Sequence, residues 1–400
     1  MRRLLLSVLL TVGCAAGSDP PPPAPTIGET VQVVPSAGLP VEYAQLVGLS
    51  NNNLDVTRHE GRVFLATRKA PNHFASTETR LFVFSSVDEK QWDFEAEVHL
   101  GSDVREPRLL SLKGRLFLYF AQLGTDPVNF EPRAMLSIER LAPGRWSDPT
   151  PFYKPGEPYI PWRVKVRDGA AWMTTYKNGQ YIYDFSGRPM DVELLRSDDG
   201  VTWTAVDPAR PVVTSGGGSE TDFDFDEAGD LYAVVRNEAG DSTGWGSKIC
   251  RAKKGALATW SCAHDPKKYD SPLVFAHAGQ IFLIGRRNVS DSGNYELYPG
   301  KEWSGATTAA IQADYWTRPK RCTLWHVDRV TLAVTALVDV PGWGDTCFAS
   351  LVDGGGGAAR ERVIYNYSSP LDDPANAELS WMDAQQAETR IYRTALTFAR

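Results

Sequence analysis

A glutamate and an arginine stand at matching ends of two consecutive predicted strands. Glu220 is the second residue of the stretch 219–225, and Arg236 ends the stretch 231–236, which follows a turn at Gly229. Because a hairpin brings the start of its first strand next to the end of its second, we expect the two side chains to meet at one end of a sheet. A carboxylate beside a guanidinium can orient a polar substrate or tune a nucleophile.

Further charged residues begin or end other predicted strands. Glu106 and Asp345 are predicted to join Glu220 as catalytic carboxylates, since paired carboxyl groups are the usual equipment of a glycosidase. The sequence does not give their separation, so retaining and inverting chemistry both stay open. The predicted substrate-binding residues are Arg236, Arg286, Arg105, Arg108, Arg163 and Arg68. The alternative is that these charges pair with one another in a solvated channel.

The elements that would gather these residues form an internal repeat. A β-rich run follows a turn glycine at positions 61, 114, 169, 229 and 279, and a weaker copy begins at Glu361. With about four short strands per repeat, this pattern predicts an all-β fold, a six-bladed β-propeller of four-stranded blades, closed by a terminal strand near 391–398. The inner strands of a propeller start around one mouth of its central channel, where the charged residues would converge.

Two turns between predicted strands share a sequence pattern. Residues 197–203 read Ser-Asp-Asp-Gly-Val-Thr-Trp, and residues 86–92 are a looser copy. In such a turn the Asp and Ser side chains bond backbone groups, and the Trp packs under the blade. These turns resemble the Asp-box of the sialidase (neuraminidase) superfamily, and the resemblance extends through the repeat pattern over roughly residues 45–398.

The resemblance to sialidases implies roles for individual residues. In that family three arginines hold the substrate carboxylate, a tyrosine is the nucleophile, a glutamate activates it, and an aspartate is the acid/base. Glu220 and Arg236 match the glutamate and one arginine, and Arg286 or its neighbour Arg287 matches a second arginine. Phe348 stands where the tyrosine would be, and a phenyl ring cannot form a covalent glycosyl intermediate.

Two functions are compatible with these residues. The first is an exo-glycosidase-type hydrolase that acts on glycans through a divergent site, because the loop 69–73 after Arg68 offers no acid/base aspartate. The second is a non-catalytic glycan- or protein-binding lipoprotein on the same scaffold, which Phe348 favours. We expect a glycan or another small polar substrate and a monomer. We expect no cofactor and no metal, because the six histidines have no ligand spacing.

The first residues predict that the chain is exported. A charged start, 1–3, precedes the apolar run 4–12, and residues 11–14 read Thr-Val-Gly-Cys. This resembles a bacterial signal peptide ending in a lipobox. We expect residues 1–14 to be the signal peptide, Cys14 to carry the lipid that anchors the chain to the membrane, 15–44 to be a Pro-rich tether and 45–400 the propeller. The predicted location is the cell envelope, the outer membrane in a two-membrane cell, or the exterior.

Charge and cysteine count restrict the partners and the compartment. The net charge is −7 and no basic run is present, which argues against a nucleic-acid partner. Five cysteines fit an oxidising compartment. With Cys14 lipidated, Cys250, Cys262, Cys322 and Cys347 would form two disulfides. Cys250 and Cys262 flank a predicted hairpin, but the sequence leaves the pairing open.

Overall fold

The computed structural model describes residues 17–40, 43, 49–290, 298–354 and 360–399 of the 400-residue chain. The predicted signal peptide and Cys14 lie outside the described residues. The described strands form six antiparallel sheets arranged as the blades of a propeller. The predicted fold class, an all-β propeller with six four-stranded blades, is therefore confirmed.

The first three blades follow one another along the chain. Blade one contains β2 (Ser50–His59), β3 (Arg62–Ala70), β4 (Arg80–Ser86) and β5 (Asp93–Val98). Blade two contains β6 (Val104–Leu112), β7 (Arg115–Leu123), β8 (Pro132–Ala142) and the short strands β9 (Arg145–Trp146) and β10 (Thr150–Pro151). Blade three contains β11 (Ile160–Arg167), β12 (Ala170–Lys177), β13 (Met190–Ser197), β14 (Thr204–Ala205) and β15 (Val212–Gly216).

The last three blades complete the ring. Blade four contains β16 (Gly218–Phe225), β17 (Leu231–Asn237), β18 (Lys248–Ala252) and β19 (Ser261–His264). Blade five contains β20 (Asp270–His277), β21 (Gln280–Asn288), β22 (Lys320–Val327) and β23 (Val334–Trp343). Blade six contains β24 (Ser350–Asp353), β25 (Glu361–Ser368), β26 (Arg390–Thr397) and β1 (Thr26–Val34).

The hairpin between the first two strands of blades one to five turns at the predicted glycines. Their φ angles are 78°, 78°, 73°, 94° and 74° at positions 61, 114, 169, 229 and 279. This left-handed region is open to glycine without steric cost. The second strands are buried on both faces because neighbouring blades pack against each other, as Phe64 of blade one and Leu118 of blade two do. This explains why they read as unbroken apolar runs.

An N-terminal strand closes the ring. β1 pairs antiparallel with β26, from Thr26 opposite Thr397 to Val34 opposite Ile391, and forms the outer edge of blade six. The C-terminal strand is tied in as predicted. The sequence predicts a tether over 15–44, but the structure places residues 26–34 of that segment in blade six. The proline tract ends before them, and their backbone groups pair with a strand instead of solvent.

Both disulfides fall in the second half of the ring. Cys250 and Cys262 face each other across β18 and β19. Cys322 of β22 bonds Cys347, which precedes β24, so this bridge joins blade five to blade six. The two disulfides expected from the cysteine count are confirmed, and the pairing that the sequence left open is now fixed.

The two turns that resemble the Asp-box have the same local hydrogen bonds. Oδ1 of Asp199 accepts from the backbone amides of Val201 (2.8 Å) and Thr202 (2.7 Å), and Oδ1 of Asp88 accepts in the same way from the amides two and three residues on. These bonds lower the pKa of Asp199 to about 2. The tryptophans that end the turns, Trp92 and Trp203, are buried beneath the blades.

The insertion predicted near 288–320 contains a helix that the repeat pattern did not indicate. The helix Gly305–Thr317 begins at Ser304, whose hydroxyl accepts a hydrogen bond from the Thr307 amide at 3.1 Å. A second, short helix, Trp381–Ala384, lies between β25 and β26 and contacts the first. Two 3-10 turns, Gly179–Tyr181 and Pro374–Glu378, are the remaining elements among the described residues. No helix among the described residues is long and apolar enough to cross a membrane.

Candidate functional site

A cavity of about 360 Å³ lies at the end of the ring where the inner strands begin. Its size is within the range of roughly 300–1,000 Å³ typical of small-molecule sites. All six blades contribute to its wall, and aromatic rings such as Trp316 and Trp381 form much of it. The acidic, basic and imidazole side chains in the wall are those of His73, Arg105, Glu106, Asp126, Glu220, Arg236, Glu238 and Arg286. The predicted convergence of charge is thus present at one mouth.

A β-bulge near the start of the inner strand recurs in blades one to five. The extra residue lies between the register positions Asn52 and Leu54, Arg105 and Arg108, Pro161 and Arg163, Gly218 and Thr221, and Asp270 and Leu273. A bulge bends the strand and redirects a side chain. Asn53, Glu106 and Ser271 have positive φ angles of 42°, 57° and 48° at three of these bulges, and all three line the cavity.

Glu220 and Arg236 meet as the hairpin predicts. Nη1 of Arg236 lies 2.7 Å from Oε1 of Glu220, Nη2 lies 2.7 Å from Glu238, and Nε lies 3.0 Å from Asp270. The other oxygen of Glu220 accepts from the Ser271 amide at 3.0 Å. Burial raises the pKa of Glu220, and Arg236 opposes the rise. Three carboxylates therefore share one guanidinium, and both oxygens of Glu220 have protein partners.

Arg286 is placed differently from Arg236. Its Nε donates to the Thr346 carbonyl at 2.8 Å, its Nη2 donates to the Ser271 hydroxyl at 3.2 Å, and its guanidinium lies 4.6 Å from the centre of the Trp381 ring. Among the described residues no carboxylate is within salt-bridge distance of Arg286, and its Nη1 donates no hydrogen bond. Arg286 is therefore available to bind an anionic group.

Arg105 also lines the cavity, but Arg68 does not. Nε of Arg105 donates to Oδ2 of Asp103 at 2.5 Å, while Nη2 of Arg68 donates to Oδ1 of the same carboxylate at 3.0 Å. Arg68 is fully buried and also donates to the Phe74 carbonyl at 2.8 Å. Its donors hold the loop that follows β3, so Arg68 has no direct contact with the cavity.

Arg108 and Arg163, also predicted to bind substrate, lie behind the wall. Their guanidinium groups lie 4.6 Å and 5.5 Å from the centre of the Phe348 ring, which does line the cavity. Trp162 packs on the same ring at 5.2 Å. Both arginines are buried, and they support Phe348 from behind instead of reaching the cavity.

Glu106 is a buried carboxyl group in the cavity wall. Its Oε2 lies 3.5 Å from Nη2 of Arg108 and accepts no hydrogen bond from the described part of the chain. Burial raises the pKa of Glu106 to about 7, with Arg108 opposing the rise and Glu220 adding to it. Burial likewise lowers the pKa of Arg108 to about 9. Near neutral pH, Glu106 is therefore present in both protonation states and can give or accept a proton.

Asp345 lies behind the wall and bonds a residue that the sequence did not single out. Its Oδ2 lies 2.7 Å from Nδ1 of His73, which lines the cavity. Its Oδ1 accepts from the Tyr367 hydroxyl at 3.1 Å. No local pattern could have revealed this pair, because the two residues are 272 positions apart in the chain.

The blades define a six-bladed β-propeller, and solved structures with a similar fold include sialidases. Trypanosoma rangeli sialidase in complex with sialic acid is similar at a TM-score of 0.54 and 11% identity, over 87% of this chain and 54% of that one. Phage phi92 endosialidase is similar at 0.56 and 9% identity, over 93% and 69%. A protein of unknown function from Dyadobacter fermentans DSM 18053 is similar at 0.59 and 15% identity, over 94% and 100%.

These likenesses concern the fold alone. The chain spans about half the length of the trypanosomal sialidase, because the match covers 54% of the sialidase chain. No protein-family model and no curated protein matches the sequence. Any activity must therefore be argued from the residues of the cavity.

Proposed function

We propose that this protein is a glycoside hydrolase that binds an acidic sugar at the end of a glycan and releases it. The observation that carries the proposal is the state of the Glu106 carboxyl group. A carboxyl group with a pKa of about 7, buried in the wall of a cavity and with one oxygen free of hydrogen bonds, is suited to protonate a leaving oxygen. An ordinary glutamate would be ionised at that pH and could not donate.

The cations of the cavity support an acidic sugar as the ligand. Arg236 is neutralised by three carboxylates, whereas Arg286 has no carboxylate partner among the residues described. A planar guanidinium matches a carboxylate with two parallel hydrogen bonds. Trp381 beneath Arg286 and Trp316 on the inserted helix add apolar surface against which a sugar ring can pack.

We propose water as the nucleophile. Phe348 has no hydroxyl group. The hydroxyls of Tyr183 and Tyr367 donate to carboxylates, but burial raises the pKa of both phenols well above the ordinary value, which disfavours the phenolates. The hydroxyl of Tyr176 makes no hydrogen bond to any residue that the structure describes, and burial raises its pKa well above the ordinary value, which disfavours the phenolate. A direct attack by water needs no covalent intermediate on the protein.

A panel of acidic and neutral glycans tests the proposal. The protein, beginning at Ser18 so that β1 is kept, is incubated with the panel, and released sugars are identified by mass spectrometry. We expect an acidic sugar, and at least a hundredfold slower release by Glu106→Gln. Glu227→Gln, an exposed glutamate in the turn between β16 and β17, is the matched control and should be as active as the wild type. An unchanged rate of sugar release by Glu106→Gln would show that Glu106 is not the general acid.

A binding protein without turnover is the second candidate function. It is favoured by Glu220, both of whose oxygens already bond Arg236 and Ser271, and by Phe348 at the position implied for a nucleophile. This candidate predicts saturable binding of an acidic glycan by calorimetry with no product between pH 4 and pH 9. Detection of a released sugar would exclude it.

For the location we propose export and lipid anchoring at Cys14. The charged start, the apolar run and the lipobox-like sequence before Cys14 support the anchor, and two disulfides support an oxidising compartment. Expression with a labelled fatty acid in a bacterial host should label the wild type and leave Cys14→Ser unlabelled. Equal labelling of the two, or of neither, contradicts the anchor.

A further inference from the structure

The loop that carries His73 is held by two buried arginines. Arg68 donates to the backbone carbonyls on either side of His73, those of Asn72 at 3.2 Å and Phe74 at 2.8 Å. Arg105 donates to the carbonyl of His73 itself at 3.3 Å. The His73 amide donates to the Gln385 carbonyl at 3.0 Å, which ties the loop to blade six. The position of the imidazole is therefore fixed at the cavity wall.

Asp345 fixes the orientation of that imidazole. Its carboxylate is fully buried and accepts at both oxygens, from the Tyr367 hydroxyl (3.1 Å) and Trp381 Nε1 (3.3 Å) on one side and from His73 on the other. Because a carboxylate only accepts, the 2.7 Å contact assigns the proton to Nδ1 of His73. Nδ2 of Asn52 donates to the Ser50 hydroxyl at 2.8 Å and also lies 3.2 Å from Nδ1 of His73, a longer contact than that of Asp345.

The second ring nitrogen of His73 faces no protein partner. Nε2 forms no hydrogen bond within the described part of the chain, and the side chain is 15% exposed and lines the cavity. With the proton on Nδ1, Nε2 carries a lone pair that can accept a proton. A histidine oriented through one nitrogen by a carboxylate, with the other at the ligand, is the arrangement of a general base.

We propose that His73, oriented by Asp345, is the proton-accepting residue of this cavity. This inference rests on the proposed hydrolysis. Nε2 takes a proton from water as the water oxygen bonds to the anomeric carbon. The bond from that carbon to the leaving oxygen breaks, and the leaving oxygen takes the proton of neutral Glu106. One water is consumed, and His73 then returns its proton to solvent as Glu106 regains one.

The surroundings of His73 keep it neutral at pH 7. Burial lowers its pKa, Asp345 opposes this, and the charges of Arg105 and Arg68 lower it further. The uncharged Tyr367 ring packs against the imidazole with the ring centres 6.4 Å apart. Since the net direction is below the ordinary value, the base form prevails near neutral pH. The step also predicts inversion at the anomeric carbon, because water displaces the leaving group directly.

Turnover and binding, measured together, test the role of His73. On the glycan that the wild type cleaves, we expect His73→Gln to lower kcat by a hundred- to ten-thousandfold and to change the Kd for free sialic acid by less than threefold. His99→Gln, an exposed histidine of blade one, is the matched control and should keep wild-type kcat. A kcat for His73→Gln within threefold of wild type overturns the inference while hydrolysis stands. A wild type that cleaves nothing defeats both proposals.

A spectroscopic readout separates catalysis from a structural role. The long-range ¹H–¹⁵N spectrum of the wild type should show His73, identified by its absence in His73→Gln, as the Nδ1–H tautomer at pH 7. A proton on Nε2 overturns the inference. Asp345→Asn should raise the population of the other tautomer and lower kcat, while the product configuration read by ¹H NMR stays inverted. Retention in the wild type would point to a protein nucleophile and contradict the step.

Discussion

At the scale of single residues, the cavity combines groups that destabilise the fold. Glu106 lies at a bulge with φ 57°, and its carboxyl is buried next to Arg108. Within the residues that the structure describes, Nε and Nη2 of Arg108 donate no hydrogen bonds. A left-handed non-glycine residue and an incompletely paired buried charge each cost free energy. Such features persist where the surrounding structure imposes them, and they cluster at functional sites.

Glu106→Gln should change how stability depends on pH. The pKa of Glu106 is raised by burial from 4.5 to about 7, so the folded state binds more protons than the unfolded state between those values. The contribution of Glu106 to the free energy of unfolding is therefore fully present below pH 4.5 and is lost as the pH rises toward 7. One pKa unit is worth about 1.4 kcal/mol, which makes the loss about 3 kcal/mol. Urea denaturation should show Glu106→Gln gaining about that much relative to wild type between pH 4 and pH 8.

The control for this measurement is Glu227→Gln, which removes an exposed carboxyl group. Its stability should follow that of the wild type at every pH. A parallel pH dependence of Glu106→Gln and wild type would show that the Glu106 carboxyl is not buried as the structure has it.

Arg286→Gln should weaken the binding of an acidic sugar selectively. A hydrogen bond to a charged group contributes about 1.5–3 kcal/mol, so we expect about a ten- to hundredfold higher Kd for sialic acid by calorimetry. A neutral hexose should be little affected. Arg287→Gln is the neighbouring control. Nη2 of Arg287 donates to Oδ2 of Asp339 at 2.6 Å, and Arg287 does not line the cavity. Equal losses for both variants would indicate a general effect of charge instead of a contact by Arg286.

At the scale of elements, the sequence predicted the hairpins and missed the bulges. A turn glycine marks the first hairpin of blades one to five in the sequence, because glycine alone adopts the left-handed backbone conformation without steric cost. The bulge residues Asn53, Glu106 and Ser271 carry no such mark, since the packing of whole blades imposes their conformation. The meeting of Glu220 with Arg236 follows from one hairpin. That of His73 with Asp345 depends on the closed ring, which no local pattern encodes.

The disulfide between blades five and six belongs to the same scale. Cys347 lies next to three residues of the site. Asp345 bonds His73, Thr346 bonds Arg286, and Phe348 lines the cavity. The bridge to Cys322 therefore holds this segment in place. Replacing both cysteines by alanine opens a loop of 25 residues, for which the expected loss is about 3 kcal/mol. We also expect at least tenfold lower kcat at a temperature where the variant is folded.

The other disulfide supplies the control for that prediction. Cys250 and Cys262 join two outer strands of blade four, 12 positions apart, and neither lines the cavity. Their double alanine variant should also lose about 3 kcal/mol by thermal denaturation. It should keep the wild-type kcat. A similar loss of kcat in both variants would mean that destabilisation alone lowers activity.

At the scale of the whole molecule, the N-terminal segment docks on the end of the ring opposite the cavity. Asp19 bonds Arg329 at 2.7 Å, and its amide donates to Asp328 at 2.9 Å, both in the turn between β22 and β23. Gln280, the first residue of β21, also donates to Asp19. Arg286 lies six residues further along the same strand, so it is about 20 Å from Gln280. If Cys14 carries a lipid, the cavity faces away from the membrane.

Removal of β1 should open the ring. β1 covers the edge of β26, and its Val33 and Val34 are buried in the core shared with blade one. Without them, β26 presents an unpaired edge, and an exposed apolar edge favours aggregation. We therefore expect the chain beginning at Ser36 to lose cooperative thermal unfolding and to elute as aggregates from a sizing column. The chain beginning at Ser18, which lacks only the predicted signal peptide and three further residues, should melt cooperatively as a monomer. A Ser36 form that melts cooperatively within a few degrees of the Ser18 form would show that the propeller stays closed with only three strands in blade six, and that β1 is dispensable for the fold.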